Sequence, residues 1–71
     1  MTQVIALRFE RSEGRFVLKF SDRRMVKVKT INAILSMDEA FQMDILALRI
    51  PVAYDSERTR TVIRRLKRKF S

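Results

Sequence analysis

The densest group of chemically active side chains in this chain lies near its end. Residues 57–70 hold seven Arg and Lys against one acid, Glu57. Guanidinium and ammonium groups at this density suit phosphate oxygens, because each neutralised phosphate releases condensed counterions and Arg adds bidentate hydrogen bonds. The residues that we expect to contact phosphate here are Arg58, Arg60, Arg64, Arg65, Lys67 and Arg68.

An amphipathic helix is the element that would position these bases. At about 100° per residue, one arc of roughly 100° collects the apolar side chains of the segment, namely Thr59, Val62, Ile63, Leu66 and Phe70. Either Asp55 or Ser56 is a natural N-cap. The pattern predicts a basic C-terminal helix over residues 56–70, docked by its apolar stripe and open to a polyanion on its other faces.

Three short segments of alternating polarity come first, at residues 4–9, 15–20 and 25–29. Polar links separate them, and Gly14 in the first link can take a positive φ. This spacing predicts a three-stranded antiparallel meander over residues 3–29. The side chains that we expect to face the core are Ile5, Leu7, Phe9, Phe16, Leu18, Phe20, Val26 and Val28.

The opposite face of this predicted sheet is basic. It would present Arg8, Arg15, Lys19, Lys27 and Lys29. We expect Lys19, Lys27 and Lys29 to support nucleic-acid contact by the helix. An ordinary solvated sheet face is the alternative, and a register slip of one residue would turn a strand over.

The middle of the chain has a helical period over residues 31–48. Ser36 and Glu39 fit an S-x-x-E capping box, which predicts that a helix starts or restarts near Met37. One long helix from Ile31 is the alternative. Residues 45–53 are ambiguous between helix and strand because of Pro51; helix through about Leu48 and an extended link to Tyr54 are favoured.

The apolar side chains of this middle segment are too numerous for one narrow helical stripe. They are Ile31, Ile34, Leu35, Met37, Phe41, Met43, Ile45, Leu46, Leu48 and Ile50. A core of 71 residues has difficulty enclosing all of them. We therefore expect a homodimer, with a monomer whose helices pack on one sheet face as the alternative.

Composition narrows the function classes. The chain has no His and no Cys, which removes the usual general base, the thiol nucleophile and the commonest zinc ligands. Asp38, Glu39 and Asp44 would at best supply a Mg²⁺ site. We expect no enzyme activity, no cofactor and no metal. Neither an apolar run of transmembrane length nor a signal peptide is visible, so we expect a cytoplasmic protein.

Charge and aromatic placement set the partner classes. The net charge is +8, and basic zones at residues 8–29 and 57–71 flank an acidic middle. The phenylalanines lie in apolar stripes and only Tyr54 is a plausible exposed stacker, which favours duplex DNA or structured RNA over single strands. The sequence thus predicts a single α+β domain that binds nucleic acid, DNA in preference to RNA, as a small prokaryotic or viral regulator.

Two other partner classes stay open at this point. An adaptor or inhibitor that binds an acidic protein would use the apolar middle and the basic helix as one interface. Peripheral membrane attachment through the last helix is the third class. No recognition-helix signature, RNA-binding sheet motif or zinc-knuckle spacing is present, and we identify no family resemblance.

Overall fold

The sheet of this protein is the predicted antiparallel meander. The computed structural model describes residues 1–48 and 56–71. Strands β1 (Val4–Glu10), β2 (Arg15–Phe20) and β3 (Met25–Val28) lie in the order β1-β2-β3. Gly14 has φ 64° in the turn between β1 and β2, a value that glycine adopts without strain. The prediction of an α+β domain with a three-stranded sheet is confirmed.

Strand β1 departs from strict alternation near its start. Val4 pairs with Phe20 and Ala6 pairs with Lys19, so Ile5 is an extra residue in β1, as in a β-bulge. The bulge turns Val4 into the core at 3% exposure and leaves Ile5 41% exposed. The prediction that Ile5 faces the core is wrong, because simple alternation assumes a register without such an insertion.

Three helices follow the sheet: α1 (Ile31–Leu35), α2 (Glu39–Ala47) and α3 (Glu57–Lys69). A restart in the middle segment is confirmed, and the alternative of one long helix is wrong. The capping-box interpretation is also wrong. Ser36 instead ends α1, where its Oγ donates to the Asn32 carbonyl at 2.9 Å, and α2 starts after Asp38.

The end of α2 falls close to the predicted position. Its last residue is Ala47, and Leu48 is the C-cap. The predictions of an extended link, of an exposed Tyr54 and of Asp55 as an N-cap concern residues outside the described ranges. Across residues 1–48 and 56–71, no helix has the length and apolar character that crossing a bilayer requires.

The core lies between the helices and one face of the sheet. Helices α2 and α3 pack on β1, and α1 and α2 pack on α3. Phe16, Leu18 and Leu66 are among its fully buried side chains. The predicted arrangement of helices on one sheet face is confirmed, with the short α1 as an additional element.

The apolar residues of the middle segment fit into one chain because the segment is broken. Separate helices carry separate apolar faces, and Ile34 of α1 and Ile45 of α2 are both fully buried. Most of the others pack against the same core as half-buried side chains, whereas Met43 is 50% exposed. Crowding thus no longer argues for a dimer, and the homodimer stays a prediction.

Candidate functional site

Helix α3 is fixed to the core by its predicted apolar stripe. Thr59, Val62, Ile63 and Leu66 are buried, and Phe70 is half-buried. The Ser56 hydroxyl accepts a hydrogen bond from the Thr59 N–H at 3.1 Å, so the predicted N-cap at Ser56 is confirmed. Because one face of α3 is held in this way, its Arg and Lys side chains line the remaining, solvent-facing surface.

The first turns of α3 contain both the helix's acid and its partners. The Glu57 carboxylate accepts hydrogen bonds from Arg64 at 2.9 Å and from Arg60 at 3.3 Å. These two guanidinium groups hold the pKa of Glu57 below its usual range. The charge of Arg60 and Arg64 is therefore partly neutralised within the helix.

The last two turns of α3 differ from the first. Arg65, Lys67 and Arg68 are exposed, and none of the ion pairs within residues 1–48 and 56–71 includes them. Cations in the last turn also interact favourably with the helix dipole, which stabilises α3 while they face solvent. We name the solvent-facing bases Arg60, Arg64, Arg65, Lys67 and Arg68 the α3 basic face.

Two further bases of α3 are engaged in contacts with the rest of the domain. The Arg58 guanidinium lies over the Phe9 ring at 5.1 Å, a cation–π contact at the border with the sheet. Lys69 donates to Gln42 Oε1 at 2.8 Å and approaches the Leu35 carbonyl at 3.4 Å. Arg58 was a predicted phosphate ligand, and the structure places it at the edge of the basic face.

Sequence reasoning missed Gln42, which is fully buried among the helices. Its Nε2 donates to the carbonyls of Leu35 and Met37 at the end of α1, while its Oε1 accepts from Lys69 of α3. One amide thus connects three helices at the end of α3 that carries the basic face. A lone Gln between apolar residues resembles a solvent-facing position, so the sequence offers no signal for it.

The predicted sheet bases lie on the other layer of the domain. In the register, Arg8, Val17 and Lys27 form one cross-strand row, and Ala6, Lys19 and Met25 form the next. These rows alternate with the buried rows, so they face away from the helices. The alternation in the sequence already indicates this separation. The core lies between the sheet and the helices, so side chains that point away from the core also point away from α3.

The sheet bases also have acidic neighbours. Lys27 pairs with Glu13 at 3.0 Å and Arg8 pairs with Glu10 at 3.4 Å, whereas Lys19 and Lys29 are exposed and belong to no ion pair of the described residues. The ammonium group of Lys27 lowers the pKa of Glu13. The structure therefore does not join Lys19, Lys27 and Lys29 to the α3 basic face in one surface.

The three acids considered for a Mg²⁺ site have different structural positions. Asp44 Oδ2 accepts the Val4 N–H at 3.0 Å, which connects α2 to the edge strand β1. Asp38 and Glu39 are exposed at the start of α2. Within residues 1–48 and 56–71, no three potential ligands are grouped for a metal ion. Asp44 also borders an open groove of about 300 Å³, which lies between the start of β1 and the end of α2.

Comparison with known proteins gives no second line of argument. No protein-family model matches the chain, and the searches of curated proteins and of solved structures give no match either. The function must therefore be argued from the chemistry and geometry of the two basic surfaces.

Proposed function

We propose that this protein binds nucleic acid, duplex DNA in preference to RNA, through the α3 basic face. The observation that supports it most directly is the division of α3 into a buried stripe and a basic surface that, from Arg65 onward, has no acidic partner among the described residues. Arg65, Lys67 and Arg68 are exposed there, on a helix that the core holds in place. Because the core fixes the helix backbone, these cations reach phosphates without any further ordering of the main chain.

The burial of the apolar stripe argues against membrane attachment by α3. An interfacial helix needs its apolar face free to enter the lipid headgroup region. Val62 and Leu66 are fully buried in the core, and Ile63 nearly so. Releasing them would dismantle the domain, which makes a phosphate backbone a better partner for α3 than a bilayer.

Aromatic placement supports a duplex. Single-strand binders stack bases on exposed rings, and none of the phenylalanines in the described residues is exposed. The major groove of B-DNA admits an α-helix, whereas that of A-form RNA is too narrow for side chains to read. A helix with exposed bases therefore suits DNA better than duplex RNA.

The test is a fluorescence anisotropy titration of a labelled random-sequence duplex DNA over a range of salt concentrations. The variant Arg65→Gln/Arg68→Gln removes two charges from the α3 basic face and keeps good helix formers. Its matched control, Ala40→Glu/Met43→Glu, makes the same change in net charge at two exposed positions of α2. At about 50 mM salt, we expect the first variant to weaken binding at least tenfold and to reduce the salt slope by about 2.

The control should lose much less affinity and keep the wild-type slope. Equal losses in both variants would show that net charge alone governs binding and would remove α3 from the proposal. No binding by the wild type at low salt would overturn nucleic-acid binding altogether and would favour an acidic protein partner. Sedimentation of the same samples measures whether the predicted homodimer forms.

A further inference from the structure

The two basic surfaces of this molecule lie on opposite layers. The core occupies the space between the helices and the inner rows of the sheet, so α3 and the outer sheet rows are on opposite sides of it. The Cα atoms span only 29 × 28 × 23 Å. We name the bases Arg8, Arg15, Lys19 and Lys27 of the outer rows, together with the exposed Lys29 that directly follows β3, the sheet basic face.

The sheet basic face extends across all three strands. Val17 lies at its centre between Arg8 and Lys27 and is only 3% exposed, although it belongs to the row that faces away from the helices. Cross-strand neighbours lie close enough for long side chains to cover one another. Arg8 and Lys27 flank Val17 on both sides, and long side chains of this kind can lie along apolar surface while their charged ends stay in water.

This face retains a positive charge after its internal pairs are counted. It has five bases, and Glu10 and Glu13 are the acids that pair with two of them. Lys19 and Lys29, both exposed, take part in none of the ion pairs seen in the described parts of the chain. Their chemistry is the same as that of α3, namely phosphate neutralisation without base readout.

A single duplex does not reach both faces. The persistence length of duplex DNA is about 500 Å, far above the 29 Å length of the domain. A duplex bound to α3 therefore does not bend around the domain to reach the opposite layer. Any phosphate on the sheet basic face must belong to a second, separate segment.

We propose that the sheet basic face is a second duplex-binding surface, so that one chain bridges two DNA segments. This inference rests on the proposed function of α3 and adds a second occupant on the other layer. The sheet surface is the weaker of the two, because its acids are interspersed among its bases. Bridging brings separate duplexes, or distant parts of one duplex, side by side without any sequence requirement.

The experiment uses two duplexes of random sequence, one attached to beads and the other fluorescent and free. Protein at about 50 mM salt should retain the fluorescent duplex on the beads, and retention should fall steeply as salt rises. The variant Lys19→Gln/Lys29→Gln should lower retention at least tenfold while its anisotropy titration with one duplex stays within about threefold of wild type. The variant Ala40→Glu/Met43→Glu, with the same net charge, should still bridge.

Each contrary result has a distinct meaning. Binding to one duplex without retention of the second would overturn bridging and leave the proposed function of α3 intact. Retention that survives Lys19→Gln/Lys29→Gln would also overturn it, since the second duplex would then be held elsewhere, for example by α3 of a second copy. Absence of binding to a single duplex would instead overturn the proposed function itself. Circular dichroism checks that each variant is folded.

Discussion

The α3 basic face and the sheet basic face use the same side chains on different supports. On α3, the bases follow the period of one helix, and their positions depend on a buried stripe within the same 13 residues. On the sheet, they depend on the pairing of three strands, and an inserted residue at Ile5 changes the facing of β1. Helical surfaces are therefore determined locally, whereas sheet surfaces depend on register.

The two faces also differ in where their acids lie. Glu57 is at the start of α3 and pairs with Arg60 and Arg64, which leaves the last two turns without an acid of the helix itself. On the sheet, Glu10 and Glu13 pair with bases in the middle of the surface. Similar composition thus gives a strong cationic surface on one layer and a weaker one on the other.

The largest expected effect is a loss of stability when a buried side chain beneath one of the two faces is truncated. Leu66→Ala removes a fully buried side chain beneath the α3 basic face and should lower the free energy of unfolding by about 2–5 kcal/mol. Val17→Ala removes two methyl groups beneath the sheet basic face and should lower it by about 1–2 kcal/mol. Urea unfolding followed by circular dichroism measures both.

A larger loss of stability in Val17→Ala than in Leu66→Ala would contradict the comparison. A neutral Val17→Ala would show that Val17 is not buried in solution. A neutral Leu66→Ala would show that the stripe of α3 is free, as a membrane-binding or partner-binding helix requires. Met43→Ala, at a half-exposed position of α2, is the control and should change stability by less than about 0.5 kcal/mol.

A smaller effect should come from the amide that connects the helices. Gln42→Ala removes the Gln42 donor from the Met37 carbonyl and leaves the Leu35 carbonyl with only its longer hydrogen bond from Lys69, and it should lower the free energy of unfolding by about 1–3 kcal/mol. Lys69→Met should lower it less, because Lys69 is exposed and water can approach Gln42 Oε1 once the ammonium group is removed. A double-mutant cycle in urea measures the coupling, and additive losses would show that Lys69 and Gln42 do not interact in solution.

What the sequence predicted and what it missed follow from the same distinction between local and non-local structure. The cap at Ser56, the stripe of α3 and the burial of Leu7, Phe16 and Leu18 each depend on neighbours in the chain, and these predictions were confirmed. The prediction that Val26 faces the core is wrong, since Val26 is 37% exposed on β3 while α2 and α3 pack on β1 at the other edge of the sheet. The break between α1 and α2 was placed nearly correctly, but Ser36 serves the helix before it, since a short polar side chain can hydrogen-bond in either direction.

The missed features depend on partners far away in the sequence. The bulge at Ile5 becomes evident only when β1 is paired with β2, and Gln42 is buried only because α1 and α3 bring a carbonyl pair and an ammonium group to it. The alternation of the strands indicates which side chains face away from the core. It shows that the two basic faces are separate only once the helices are known to pack on the opposite side of the sheet. The net charge of +8 contains no information on how the bases are divided between the two faces.

The smallest expected effect compares the acids of the two faces. Glu57→Gln removes a negative charge beside Arg64 and Arg60 on α3, and Glu13→Gln removes one beside Lys27 on the sheet. Glu57→Gln should therefore raise affinity for a single duplex about two- to fivefold in the anisotropy titration. Glu13→Gln should leave that affinity nearly unchanged and raise only the retention of a second duplex. Equal responses of both variants in both assays would show that the two faces act as one surface.

The pH dependence of stability gives the same comparison without a ligand. The pKa of Glu57 is lowered by Arg64 and Arg60, and that of Glu13 by Lys27. A depressed pKa in the folded state means that each carboxylate contributes stability above its unfolded pKa of about 4.3, which is lost as the pH falls through the folded value. Thermal melts between about pH 3 and 6 should therefore show a shallower acid decline in Glu57→Gln and in Glu13→Gln than in wild type. NMR titration should place the pKa of both carboxyl groups below the usual range of Glu, and an unshifted Glu57 or Glu13 would show that its ion pairs do not form in solution.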